Sequence, residues 1–196
     1  MLNCEIKNLF VTPFWEFNLG DHDKELNNMV YMDGVNYSNH SKQSTDEESK
    51  FLESSGYALG VKKLKQYSEQ AIFQVLKSLQ INYDSMELNS RQEVVFPGMC
   101  NSPHHHPDCD LLGVYYVKAP LNSGDLLLLD PRGSVKTLWK EPLVTNDANG
   151  NSSRAFYRYK PTPGKLLLFP NYLFHAVETN LSEEERISVV LSIRLK

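Results

Sequence analysis

Cysteine is scarce in this chain. Cys4, Cys100 and Cys109 are the only three in 196 residues. Odd in number and without Cys-x-x-Cys spacing, they exclude a disulfide framework and read as reduced thiols, Cys109 being the one placed where a thiolate could act as a ligand. Long apolar runs are missing as well: nothing approaches the roughly 18 residues of a membrane span. The opening stretch MLNCEIKNLFVTPFWEF has an acid at position 5 and Pro13 inside its apolar patch. It therefore reads as neither signal peptide nor anchor, and a cytoplasmic protein is the expectation. Excess positive charge is the third absence. Lysine plus arginine total 20 against 24 acidic residues, a formal charge of -4, so no global field draws nucleic acid or an acidic membrane. The expected partner is a small-molecule or peptide substrate.

What is present fits a single domain, residues 1–196, with an N-terminal segment that contains helices over 1–82 and a jelly-roll core over 83–196. Leu26, Met29 and Val30 recur at helical spacing before Gly34, which predicts a short helix over 22–33 closed by that glycine. The polar stretch from Asn36 to Ser55 reads as an exposed connection. Val61, Leu64, Ala71, Ile72, Val75, Leu76 and Leu79 then follow an amphipathic pattern, which predicts a second and stronger helix with one face to be covered.

Beyond Asn82 the period shortens. Runs at 93–96, 111–117, 126–129, 155–159, 165–169 and 187–195 are punctuated by Pro97-Gly98, Asn122-Ser123-Gly124, Pro131-Arg132-Gly133, Asn149-Gly150 and Pro163-Gly164. This is how strands joined by turns read. Helices followed by at least six strands predict a sandwich or jelly roll, a double-stranded β-helix, with helices packed on the outer face of one sheet. In the last run Arg186, Ser188, Val190 and Ser192 alternate with Ile187, Val189, Leu191 and Ile193. The aliphatic set belongs on the helix-covered face and Arg186 inside the barrel.

The chemistry concentrates in NSPHHHPDCD, residues 101–110. In an extended chain, which Pro103 and Pro107 favour, His104, His106 and Asp108 share one side while His105 points away. His175, just past an apolar strand, is the obvious third ligand. Imidazoles with an optional carboxylate describe a non-haem Fe(II) site, and the same set accepts zinc, manganese or nickel. The alternative is an exposed loop that chelates by accident. Arg186, with Ser188 two positions on, can hold a carboxylate by its two-pronged fork, unless it forms a surface ion pair with Glu183 or Glu184.

The segments HHHPDCDLLGVYYVKAP, SGDLLLLDPRG, PTPGKLLLFPNYLFHAVETN and ERISVVLSI, with LFVTPFW near the start, together resemble the 2-oxoglutarate- and Fe(II)-dependent oxygenases common in marine bacteria and their phages. The likeness covers roughly residues 101–193, with a fainter echo at 8–15, and lies in the order of the motifs more than in any one of them. It implies His104, His106 and His175 as metal ligands and Arg186 with Ser188 as the grip on 2-oxoglutarate. It also implies Tyr115 or Tyr116 lining the cosubstrate pocket. His106-Pro107-Asp108 offers the His-x-carboxylate arrangement of most of the wider superfamily, so Asp108 is the alternative ligand. Leu112 stands where the family pattern usually has serine. The implied reaction uses Fe(II), 2-oxoglutarate and O2 to oxidise a substrate C–H bond. The rival readings are a cupin-like metal-binding protein or isomerase without redox chemistry, and a non-catalytic phage or surface module.

Overall fold

The structure is a computed structural model that describes residues 11–41, 59–132 and 156–196, with backbone alone over 36–41. Cys4, the Asn149-Gly150 turn and most of the polar connection lie outside the described residues. The elements, in chain order, are β1 (Trp15–Asn18), α1 (Leu19–His22), α2 (Leu26–Ser41), α3 (Leu59–Ser78), β2 (Met86–Val95), β3 (Asn101–His104), β4 (Leu111–Lys118), β5 (Leu126–Leu129), β6 (Phe156–Tyr159), β7 (Lys165–Pro170), β8 (His175–Val177) and β9 (Arg186–Leu195).

The strands form two antiparallel sheets, ordered β1-β7-β4-β9-β2 and β3-β8-β5-β6. Apart from the β5–β6 pair, the chain from β2 to β9 alternates between the sheets. This alternation stacks one sheet on the other and places an apolar layer between them. Leu112, Val114, Tyr116, Leu167, Phe169 and Val190 fill that layer from the larger sheet, and Leu126, Leu128, Tyr159 and Val177 from the smaller. β7 is buried on both sides, which is why KLLLFP reads as an unbroken apolar run.

The outer face of the larger sheet carries the second apolar cluster. Leu64, Ala71, Ile72, Val75 and Leu76 of α3 join Leu166 and Leu168 of β7 and Ile187, Val189, Leu191 and Ile193 of β9 there. α2 crosses α3 closely: a side chain on Gly60 would run into the backbone of Met29 and Val30. Asp33 on α2 accepts from the Val61 amide at 2.9 Å and satisfies a free donor in the first turn of α3. Asn27 donates to the Val117 carbonyl at 2.7 Å, tying α2 to β4.

One expectation needs correction. The first helix does not stop at Gly34 but runs to Ser41. Gly34 sits inside the helix, with the movable end of the Gln92 side chain of β2 beside it, so it does not terminate the helix. Ahead of the helices, β1 pairs with β7 as an edge strand of the larger sheet. Among the described residues no helix is long and apolar enough to cross a membrane.

Candidate metal and carboxylate site

β3 and β8 are short neighbours in the smaller sheet, and their register places His104 directly opposite His175. His106 lies two residues past His104, where its amide approaches the Asn171 carbonyl at 3.4 Å. One ring nitrogen from each of His104, His106 and His175 falls within 4.8 Å of the others. The ring centroids are 4.4 Å apart for His104–His175 and 5.3 Å for His106–His175.

The ring orientations follow from hydrogen bonds to carbonyls. His104 Nδ1 lies 2.7 Å from the Ser102 oxygen and His175 Nδ1 lies 2.9 Å from the Leu173 oxygen. A carbonyl only accepts, so each Nδ1 carries the proton and each Nε2 keeps a free lone pair for a metal. Burial pushes the pKa of His175 down to about 4, the Leu173 bond opposing it only in part. His106 is lowered too, first by burial and then by the charges of His104 and Arg91. Neutral imidazole is the ligating form. Three converging imidazole donors, two of them with the tautomer set by a carbonyl, fit a divalent transition metal.

The other candidates in the cluster lie elsewhere. His105 is exposed and packs on Phe174 at 4.5 Å between ring centroids. Asp108 is exposed, outside the histidine group, and its backbone carbonyl takes two bonds from Arg194, at 2.6 and 3.1 Å. The extended reading fails there because β3 ends at His104 and the chain turns at Pro107-Asp108. Cys109 is buried with its thiol on the His106 carbonyl at 3.5 Å, and burial raises its pKa. It is not one of the grouped ligands.

The carboxylate half of the site centres on Arg186, the first residue of β9, only 2% exposed. No acid pairs with it among the described residues. Glu184 and Glu185 are taken by Lys118. Its Nη1 donates weakly to the Gly124 carbonyl at 3.4 Å, its guanidinium lies 5.1 Å from the centre of the Tyr116 ring, and its Nε has no partner among the described residues. Ser188 is buried two positions on, opposite Tyr116 of β4. The Tyr116 hydroxyl is buried without a bond of normal geometry. Burial pushes its pKa up to about 12, against the pull of the Arg186 charge. A buried guanidinium with no acid beside it among the described residues is costly unless an anion completes it, so the residues fit a carboxylate.

Tyr115 is not part of this arrangement. It points to the opposite face of β4, into the helix-covered cluster, so of the two adjacent tyrosines only Tyr116 faces Arg186. Composition also missed an aromatic wall between the two halves. Phe169 meets His175 edge-on at 5.2 Å and stacks with Phe14 at 6.3 Å, while Tyr159 stacks with Tyr116 at 6.0 Å. The only sequence signal for Phe14 was its place in LFVTPFW.

Residues 90–192 match the family model described as "Putative 2OG-Fe(II) oxygenase". The chain belongs to this 2-oxoglutarate–Fe(II) oxygenase family. Two solved structures share the oxygenase's jelly-roll fold. One is a Pseudomonas putida prolyl-4-hydroxylase, with 15% identity and a TM-score of 0.62 over 94% of this chain and 89% of that one. The other is a Trichoplax adhaerens prolyl hydroxylase in complex with a hypoxia inducible factor peptide fragment, with 14% identity and a TM-score of 0.62 over 92% and 83%. No curated protein matches the oxygenase in sequence.

Proposed function

We propose that the protein hydroxylates a C–H bond of a small-molecule or peptide substrate, using Fe(II), 2-oxoglutarate and O2. His104, His106 and His175 hold the iron, and Arg186, helped by Ser188 and Tyr116, holds the far carboxylate of 2-oxoglutarate. The carrying observation is the pairing of two half-sites inside one barrel: three imidazole nitrogens within 4.8 Å of one another and a buried guanidinium with no acid of its own among the described residues.

Bound together, iron, 2-oxoglutarate and O2 supply the oxidising chemistry, in which one oxygen atom enters the substrate and the other enters succinate, with release of CO2. The chain's contribution is orientation. The carbonyls of Ser102 and Leu173 fix the tautomers of His104 and His175. Arg186 sets the direction of the cosubstrate through a charge-assisted contact roughly twice as strong as a neutral hydrogen bond. Phe14, Tyr159 and Phe169 line the interior and keep water from the reacting groups.

The test adds Fe(II), 2-oxoglutarate and ascorbate to the purified protein and measures succinate formed without a primary substrate. Slow succinate release that disappears in Arg186→Ala supports the reading. Tight metal binding with neither succinate nor 2-oxoglutarate uptake would favour a cupin-like protein without redox chemistry.

A further inference from the structure

β2 is an edge strand of the larger sheet, paired among the described residues only with β9. Its even-numbered residues face the helices: Met86, Leu88 and Val94 pack on the helix cluster, and Gln92 lies against Gly34. The odd-numbered residues therefore project from the opposite face, the one that Arg186 and Ser188 share on β9. On that side Glu87 is engaged by Lys196 and Arg194, and Glu93 accepts from Asn101 at 2.9 Å. Arg91 is exposed, and no bond or ion pair engages its side chain among the described residues.

The Glu93–Asn101 bond fixes where Arg91 sits. The chain reverses between β2 and β3 through a turn closed by the Met99 amide on the Phe96 carbonyl. Two residues back from Glu93 on the same face therefore lies beside the part of β3 that leads to His104. The β2–β9 register sets Arg91 opposite Val190, whose side chain lies in the layer between the sheets. The rim of the histidine site thus carries a free planar cation on a chain whose net charge is -4.

We propose that Arg91 recognises an oxyanion on the primary substrate, a carboxylate or a phosphate, and so aims the C–H bond at the metal. This rests on the oxygenase reading above. The two guanidiniums divide the anionic work: Arg186, buried, takes the cosubstrate, and Arg91, open, takes the substrate as it arrives. The planar fork of arginine suits carboxylate and phosphate alike. Held alone in solvent such a contact is weak; it strengthens when the rest of the substrate covers it and excludes water.

The experiment loads the protein with Mn(II) and 2-oxoglutarate under anaerobic conditions. It then titrates carbon-13-labelled acetate and, separately, inorganic phosphate, reading paramagnetic broadening of each probe by the nearby Mn(II). Saturable broadening by at least one probe is expected. Arg91→Gln should weaken it by about 10-fold, the loss of one charge-assisted contact, with unchanged 2-oxoglutarate affinity and thermal melting. The preferred probe identifies carboxylate or phosphate as the group recognised. Equal broadening in wild type and variant, or no saturable broadening by either probe, overturns the proposal. Wild-type protein that takes up no 2-oxoglutarate sinks the oxygenase reading, and this inference falls with it.

Discussion

His104 and His175 face each other as direct cross-strand partners in the β3–β8 pair, so two distant stretches of sequence meet through backbone pairing. Backbone pairing makes His175 a rigid half of the candidate metal site. His105, between the two other histidines, packs instead on Phe174.

His175→Ala should therefore remove nearly all tight Fe(II) or Mn(II) binding, whereas His105→Ala should leave it within about threefold, because only the former removes a converging nitrogen. Titrating Mn(II) into each metal-free variant and following its electron-spin signal provides the comparison. Similar losses from both changes would discredit the trio.

Arg186→Lys keeps the positive charge and loses the planar fork. Binding of 2-oxoglutarate should weaken by roughly 10- to 100-fold, about 1.4 to 2.8 kcal/mol. Metal affinity should barely change, since the arginine touches none of the three imidazoles. Anaerobic calorimetry on the Mn(II)-loaded variant measures both quantities, and an unchanged 2-oxoglutarate affinity would remove the main support for the cosubstrate site.

Gly124 has a φ of +89, and a side chain there would strike the Glu178 carbonyl. The same residue's own carbonyl accepts from Arg186. Gly124→Ala should cost at least about 1 kcal/mol in stability from the left-handed backbone alone and should shift Arg186, weakening 2-oxoglutarate binding. Urea unfolding together with the calorimetric titration would show both effects, or neither if the turn is tolerant.

Folded-state protonation of His175 is held down to about 4, against about 6.5 in an unfolded chain. Below pH 6.5 the unfolded state binds more protons than the native one, so acid favours unfolding. Metal-free protein should lose stability as pH falls from about 6.5 toward about 4, by about 3 kcal/mol from this residue, and the loss should be complete below that range. Urea midpoints at a series of pH values test it: His175→Gln should flatten the slope over this interval, and an unflattened slope would place the cause elsewhere.

Leu191 is fully buried between β9 and the helices. Leu191→Ala should destabilise by about 2 to 5 kcal/mol through lost burial and a cavity. If the helices contribute little to the core, the change in unfolding midpoint will stay well below that.

Much of this architecture could be read from the chain because local patterns have local causes. Alternation in β9, the unbroken apolar run of β7 and the helical stripe of α3 each reflect which faces a single element must bury. The histidine triplet and the arginine–serine pair were likewise visible as residue types able to bind a metal and a carboxylate. Sequence left other matters open because they depend on neighbours far along the chain. β1, β3 and β8 have only 4, 4 and 3 residues, too few for a period to emerge, and their pairing partners define them. Gly34 read as a helix stop because nothing local signals that α2 continues past it to Ser41. Tyr115 and Tyr116 are adjacent and chemically alike, and only the packing of β4 between helices and barrel sends one to each side. Asp108 left the face of His104 because β3 ends where its pairing with β8 ends. Residue chemistry and periodicity are written into short segments, whereas the meeting of His104 with His175 and of Tyr116 with Arg186 required the sheets to close.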